Sequence, residues 1–201
     1  TELNYPLFFH SLPEEKETVL LENDIISVKN IILNHSIKCS GFVFSEKKSR
    51  RKINKEMVEK LNIPYNKFED IKDGADWINQ HAQIIKNDDI TFPNNSSYTY
   101  AFCTDTRYDE KIIEKIKNVS LLYYESTFKH EMKERANQTG HSTTLQAAKI
   151  ACKAKVKNLM IGHFSQRYKD TNELLLETEK EFKHTILSEP GLIIDFKDLN
   201  S

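Results

Sequence analysis

Four ionisable residues of this sequence occupy the same kind of position, at the end of an apolar run that reads as a β-strand. His35 ends NIILNH, Asp105 ends YAFCTD, Glu125 ends LLYYE and His163 ends NLMIGH. In layered α/β folds the carboxyl ends of the strands border the crevice in which ligands bind. Imidazole nitrogens and carboxylate oxygens suit borderline metals such as Zn²⁺. The pattern therefore favours a metal site, and the alternative for any one residue is a hydrogen-bonded surface group.

A fifth candidate, His141, stands on a turn after Gly140, just before a predicted helix. The stretch TGHSTTLQAAKI offers Thr143 as the helix N-cap and Gln146, three residues on, as its reciprocal partner. His141 and His163 thus stand at the two ends of one helix-then-strand unit. From the residues alone, His141 is either a functional group or an exposed turn histidine that stabilises the start of the helix.

The elements that must position these residues alternate from residue 98 onward in the order βαβαβαβ, which argues for an α/β layered fold. Residues 5–44 read before that as a series of strands. The predicted elements are, in chain order, a strand ending at Asp105, an amphipathic helix over 109–118, a strand over 119–127, a helix after Thr143, a strand over 156–163, a helix over 170–186 and a last strand over 191–196.

Residues 45–95 are charged and broken, and they read as an excursion inserted into a single domain of residues 1–201. One short amphipathic helix is predicted over 53–61. The stretch EKKSRRKINK contains six basic residues against one Glu, and these are Lys47, Lys48, Arg50, Arg51, Lys52 and Lys55. Such a run is by default a solvated face, and contact with RNA phosphates is the functional alternative.

Composition limits the classes of protein to which the chain can belong. Its 201 residues are 38% hydrophobic and 29% charged, which is typical of one globular domain rather than a disordered or membrane protein. Three scattered cysteines without a CxxC pattern predict free thiols in a reducing compartment, and we expect a cytoplasmic protein. A net charge of −1 argues against nucleic-acid binding over the whole surface, while a local basic patch stays open.

Three stretches of the chain resemble ribonuclease Z, the tRNA 3′-processing endonuclease of the metallo-β-lactamase superfamily. They are YYESTF, the block TGHSTTLQAAKIACKAKVKNLMIGHFSQRY and ILNHSIKCSGFVF, and the resemblance runs from about Ile25 through Phe196. AFCTDTRY departs from the family's Gly-Asp-Thr motif with Thr104, and YEST keeps only the Glu and Thr of His-Glu-Ala-Thr. The resemblance implies a metallo-β-lactamase-like αββα sandwich, incomplete at its N-terminal side, with a protruding basic arm.

The same resemblance implies roles for the candidate residues. Two zinc ions share a site in that family, and His35 binds one, Asp105 bridges both, and His163 binds the other. His141 donates a proton to the leaving 3′ oxygen or hydrogen-bonds the phosphate, and Glu125 holds His141 in place. The basic residues of 47–55 lie on the arm that grips precursor tRNA, often across a homodimer. The family's Gly-Pro pair is absent from this arm, where IPYNKFEDIKDG stands instead.

The superfamily's His-x-His-x-Asp-His motif is absent, and no HxH of any kind occurs in the sequence. We therefore expect the chain to be the C-terminal two-thirds of a ribonuclease Z, to bind zinc poorly and to cleave tRNA little or not at all. Two alternatives remain open. One is a superfamily phosphodiesterase or sulfatase that acts on a small substrate, and the other is a non-catalytic fragment that binds tRNA or dimerises.

Overall fold

Short strands and helices follow one another along the chain. A computed structural model describes residues 5–13, 15–47, 50–94 and 97–200. Within them the strands are β1 (Val19–Glu22), β2 (Ile26–Leu33), β3 (Cys39–Glu46), β4 (Lys52–Ile53), β5 (Trp77–Ile78), β6 (Ile84–Ile85), β7 (Thr91–Phe92), β8 (Thr99–Cys103), β9 (Leu121–Glu125), β10 (Asn158–Gly162) and β11 (Thr185–Leu187). The α-helices are α1 (Lys55–Lys60), α2 (Phe68–Lys72), α3 (Asn87–Ile90), α4 (Lys133–Thr139), α5 (Thr144–Ala154) and α6 (Asn172–Thr178). Short 3₁₀ helices occupy Tyr65–Lys67, Glu110–Lys115, His130–Met132 and Asp198–Asn200.

The chain divides into two compact units, residues 1–45 with 98–201, and residues 46–97. The first unit contains a seven-stranded sheet in the order β1-β2-β3-β8-β9-β10-β11. Strands β8 to β11 run parallel to one another, whereas β3 is antiparallel to β8 and β1 is antiparallel to β2. Because β8, β9 and β10 are parallel, their carboxyl-terminal ends lie on the same side of the sheet, as the predicted alternation of strands and helices requires.

One face of this sheet is covered by helices. Apolar residues of α5 at helical spacing, including Ala147, Ile150 and Ala151, are fully buried against the sheet side chains Leu122 and Ile161. The start of α5 is fixed by the predicted capping box, since the Thr143 hydroxyl accepts from the N–H of Gln146 and the Gln146 amide oxygen accepts from the N–H of Thr143. This cap fixes the chain direction immediately after His141.

The opposite face of the sheet carries a row of aromatic side chains. Strand alternation places Phe44 and Tyr100 on that face, where their rings stack with centroids 5.8 Å apart. Phe102 and Tyr123 stack in the same way at 4.7 Å. Each of these four side chains is half-buried. Such cross-strand pairs stabilise the register of neighbouring strands.

The helix predicted over 109–118 is instead a 3₁₀ helix over Glu110–Lys115. The carboxylate of Asp109 accepts from the N–H of Lys111, only two residues on, which tightens the first turn. Asn118 then adopts a left-handed backbone conformation, with φ of 59°, and ends the segment before β9. Ile112 and Ile116 still enter the core, as their spacing predicted.

Three other predicted elements were wrong. Residues 5–13 form no strand, and large apolar side chains there are exposed. The helix predicted over 170–186 ends at Thr178, and Thr185–Leu187 pairs in parallel with β10 as the last strand. The segment 191–196 contains no strand, and β11 is the terminal strand at that side of the sheet.

The second unit has its own small core. Val58, Ile63, Ile71 and Ile90 are buried there, and Trp77 packs against them from the side. The helix predicted over 53–61 appears as α1, which Asn54 caps by accepting from the N–H of Met57. Two short antiparallel pairings, β4 with β7 and β5 with β6, complete the unit.

No helix within the described residues is long and apolar enough to cross a membrane. All three cysteines are free, with Cys103 buried, Cys39 half-buried and Cys152 exposed.

Candidate functional site

Side chains from three strand ends and one turn meet at one edge of the sheet. Asp105 follows β8, Glu125 is the last residue of β9, and His163 follows β10, with Glu125 level with Gly162 in the parallel register. His141 lies between α4 and α5. The ligand atoms of Asp105, His141 and His163 all lie within 4.8 Å of one another. Of the four strand-end residues predicted from the sequence, Asp105, Glu125 and His163 thus meet in one place.

His35 lies beside this cluster. Its Nδ1 is 2.8 Å from the carbonyl oxygen of Gly140, and its ring centroid is 5.3 Å from that of His141. The ring of His141 is in turn 5.2 Å from that of His163. The three imidazoles therefore form a row, with His141 in the middle.

Glu125 is completely buried and fully hydrogen-bonded. Its Oε1 accepts from the N–H of Thr106 at 2.5 Å and lies 3.0 Å from His141 Nδ1. Its Oε2 accepts from the N–H of Ser142 at 3.1 Å and from the hydroxyl of Thr127 at 2.6 Å. Four donors around a carboxylate satisfy its acceptor sites, which is the condition for keeping a charge inside a protein.

These acceptors determine which ring nitrogens carry protons. An ionised carboxylate and a carbonyl oxygen can only accept, so His141 donates from Nδ1 to Glu125, and His35 donates from Nδ1 to Gly140. The Nε2 atoms of both rings are then available to a ligand. His163 Nε2 lies 3.4 Å from Asp105 Oδ1, close to the separation of two ligand atoms that share one tetrahedral Zn²⁺.

The backbone is strained at two of these positions. Asp105 and His163 have positive φ angles of 52° and 61°, in the left-handed region that residues with a Cβ seldom adopt. Strain of this kind persists only where the surrounding structure enforces it, and it is concentrated at functional sites.

The donor set fits a metal ion. Asp105, His141 and His163 offer one carboxylate and two imidazoles, which are ligands that Zn²⁺ and related ions take in tetrahedral sites. The side chains of Asp105 and His163 are 38% and 40% exposed, so that an ion can reach them from solvent. Cys39 is near by, but burial and, to a lesser degree, the Asp105 carboxylate raise the pKa of its thiol, which disfavours the thiolate that binds metal.

The basic residues of the second unit have mixed surroundings. Arg50 forms ion pairs with Glu69 and Asp73, and Arg51 with Asp88. Lys52 and Lys55 are exposed, and no partner for either is seen among the described residues. Lys47 has a partner, and Lys48 lies outside the described residues. Residues 46–97 contain ten Lys and Arg against nine Asp and Glu, so the unit is close to neutral.

Thr106, Thr127 and Ser142 were not singled out from the sequence, although all three bind Glu125. The available signal was the retained Thr of YEST, two residues after the Glu. Arg167 lies over the ring of Phe128 at 5.0 Å, and the Phe128 and His141 rings meet in a T-shaped arrangement with centroids 6.4 Å apart.

Comparison with known proteins bears on this geometry. The chain is 38% identical over 192 residues to a ribonuclease Z of Bacteroides thetaiotaomicron, which covers 96% of the chain and 61% of the relative. It is 40% identical over 190 residues to a ribonuclease Z of Parabacteroides distasonis, with 94% and 62% covered. The chain thus spans about three fifths of the length of the curated relatives that it matches. No protein-family model matches it.

Solved structures agree on the fold. A metallo-β-lactamase fold protein of Bacillus subtilis superposes with a TM-score of 0.58 at 14% identity, covering 92% of the chain and 54% of that protein. The short form of human tRNase Z superposes with a TM-score of 0.53 at 18% identity, covering 91% and 48%. The predicted α/β class and its metallo-β-lactamase-like arrangement are confirmed.

Proposed function

Because the chain is a relative of ribonuclease Z over nearly all of its length, we propose that it belongs to a metal-dependent endoribonuclease that removes 3′ trailers from precursor tRNA in the cytoplasm. The observation that carries the proposal is the pairing of His141 with the buried Glu125 beside the Asp105–His163 cluster. A proton donor next to a metal-ligand set is what hydrolysis of a phosphodiester requires.

Zinc is the proposed metal. Asp105, His163 and His35 are the residues proposed to hold it. When bound, a pair of such ions stabilises the attacking and leaving oxygens of an in-line displacement. Among the described residues these side chains are too few to complete two tetrahedral sites, which use three or four protein ligands each.

His141 is the proposed general acid. Its Nδ1 is committed to Glu125, so the proton for the leaving 3′ oxygen has to come from Nε2, and a ring nitrogen of His141 lies within 4.8 Å of ligand atoms of Asp105 and His163. Glu125 fixes the ring in that orientation, and its negative charge compensates the imidazolium when Nε2 carries a proton. The side chain of His141 is 18% exposed, which leaves it accessible to a substrate phosphate.

Substrate binding through the second unit is proposed for Lys52 and Lys55. Both are exposed, whereas Arg50 and Arg51 are held by carboxylates of the same unit. Phosphate contacts by lysine give affinity without sequence readout, which suits an enzyme that accepts many tRNAs. A homodimer is the proposed assembly, on the family resemblance alone, and sedimentation velocity tests it.

The first test is the zinc content of the purified chain, by elemental analysis after dialysis against zinc, with single-turnover cleavage of a precursor tRNA that carries a 3′ trailer. We expect less than two zinc ions per chain and slow cleavage. D105A and H163A should abolish bound zinc, while H141A should keep zinc and lose cleavage. H184A is the control, since His184 lies outside the site, and it should change neither.

Zinc content unchanged in D105A and H163A contradicts the proposed metal site. Zinc lost in H141A makes His141 a ligand instead of the acid. Cleavage that survives in H141A at the unaltered rate rules out a proton-donor role.

The second test compares two double variants in precursor tRNA binding across a salt series. K52A/K55A should lower the slope of log affinity against log salt by about two, roughly one for each phosphate contact. R50A/R51A should leave the slope unchanged, because those guanidinium groups already face carboxylates.

One observation favours a second candidate, a phosphodiesterase that acts on a small substrate. The second unit is nearly neutral, and its two arginines are paired internally. If the chain hydrolyses a small phosphodiester but shows no salt-dependent tRNA affinity, that alternative replaces the tRNA nuclease.

A further inference from the structure

The hydroxyl of Thr127 sits between the two halves of the candidate site. Its Oγ1 lies 2.6 Å from Glu125 Oε2 and 2.9 Å from His163 Nδ1. The same oxygen is 3.0 Å from the carbonyl oxygen of His163. One side chain thus contacts both the partner of the proposed acid and a proposed metal ligand.

The single proton of the Thr127 hydroxyl determines the direction of these hydrogen bonds. A hydroxyl has one proton to donate and two lone pairs to accept with. The 2.6 Å distance to the buried carboxylate of Glu125 is typical of a charge-assisted bond, which is stronger than a bond to a carbonyl. Thr127 therefore donates to Glu125. Its lone pairs then face His163, so that Nδ1 of His163 has to carry the proton.

The consequence for His163 is a fixed tautomer. With the proton on Nδ1, its Nε2 presents a lone pair on the side of Asp105, 3.4 Å away. Glu125 has the same effect on His141, and the carbonyl of Gly140 on His35. Each of the three rings is thus held by its Nδ1, and each leaves Nε2 for a ligand.

We propose that Thr127 is a positioning residue that ties Glu125 to His163 and holds His163 in the Nδ1–H tautomer. The role of His163 toward a metal rests on the proposed function, whereas the tautomer does not. Hydrogen bonds of this kind orient metal-binding histidines, and their loss typically lowers metal affinity about 10–100-fold. The sequence shows the residue as the retained Thr of YEST, and only the fold shows its two partners.

The test uses ¹⁵N-histidine-labelled full chain, free of metal, at about pH 8.5, where an imidazole is ordinarily neutral. Long-range ¹H–¹⁵N spectra report which ring nitrogen carries the proton. We expect His163 as the Nδ1–H tautomer in the parent chain and in T127S. In T127V, which has the same shape without the hydroxyl, the tautomer ratio should shift about fivefold or more toward Nε2–H.

T178V is the matched control, because Thr178 is buried and, among the described residues, its hydroxyl is seen to bond only to the Leu174 carbonyl. An unchanged His163 tautomer in T127V overturns the proposal, and so does a T127S spectrum that resembles T127V. If T127V does not fold, T127A replaces it, and the parent spectrum also decides, because a parent chain with His163 as the Nε2–H tautomer overturns the proposal.

Zinc titration of the same variants is the second readout, with affinity expected to fall about 10–100-fold in T127V but not in T127S or T178V. A tautomer shift in T127V, together with a zinc content that D105A and H163A leave unchanged, would keep Thr127 as a positioning residue and refute the proposed metal site. Zinc binding and cleavage that persist together with an unshifted tautomer would refute the role of Thr127 alone.

Discussion

Replacement of Glu125 by glutamine is the sharpest test of the buried hydrogen-bond network. The carboxylate accepts four hydrogen bonds, two of them from the backbone N–H groups of Thr106 and Ser142, one on each oxygen. A glutamine offers one oxygen and one NH₂ group. Whichever way the amide is turned, its NH₂ faces one of those two N–H donors, and that donor is left buried without an acceptor.

The magnitude follows from these contacts. One orphaned buried N–H costs about 1–3 kcal/mol, and two charge-assisted bonds that become neutral lose roughly 1 kcal/mol each. Relief from burying a charge opposes these losses. We expect E125Q to lower the free energy of unfolding by about 2–4 kcal/mol, which for a chain of this size is a fall in Tm of roughly 5–15 °C.

Urea unfolding followed by far-UV circular dichroism measures the change. The control is E110Q, at a partly exposed carboxylate that Lys153 and Tyr108 bind at the surface, and its unfolding midpoint should stay near that of the parent chain. An E125Q variant as stable as the parent chain would mean that Glu125 is not an ionised acceptor of four bonds.

Three further changes have defined outcomes. Gly140→Ala should destabilise the chain by about 1–3 kcal/mol in urea unfolding, because φ there is 83° and an added Cβ would lie 2.8 Å from His35 Nδ1. A hydrogen bond from Lys86 lowers the pKa of Asp76, so the stability from this pair is present above about pH 4, the ordinary range of Asp, and is lost as pH falls through the lower pKa of the folded state. Amide protection factors in residues 46–97, which correct for the slower intrinsic exchange in acid, should therefore fall in acid, and D76N should flatten this dependence. Burial raises the pKa of Cys103 to about 12, so this thiol should resist a thiol reagent at neutral pH until the chain unfolds.

Each of these three changes has a control residue in the same chain. G74A probes a glycine with a similar positive φ of 104° but open space around its Cβ position, so it should cost only the backbone strain. D89N removes an exposed carboxylate of α3 and should keep the acid dependence. Cys152 is exposed and should react in the folded chain. A Cys103 that reacts as fast as Cys152 would contradict its burial.

The sequence predicts best where one local signal is enough. The unbroken apolar runs of β9 and β10, the capping box at Thr143 and the apolar spacing of α5 all agree with the structure. The convergence of strand-end residues was also foreseeable, because parallel strands end at one edge.

Sequence patterns predict poorly those features that depend on residues far apart in the chain. The run 191–196 is as apolar as a strand but forms none, and the last strand is Thr185–Leu187, inside the predicted helix. Arg50 and Arg51 read as free charges, whereas their carboxylates come from residues 19 to 37 positions away. The position of Thr127 between Glu125 and His163 likewise depends on how β9 meets β10, which no local pattern reports.

The small core of residues 46–97 has a practical consequence for following how the chain unfolds. Trp77, the one tryptophan of the sequence, packs against that core, whereas seven of the eight tyrosines lie in the other unit. Tryptophan emission therefore reports melting of residues 46–97, and tyrosine absorbance mainly reports the sheet. Two optical probes on the unmodified chain can thus separate the two transitions, and coincident curves would show that the units unfold as one.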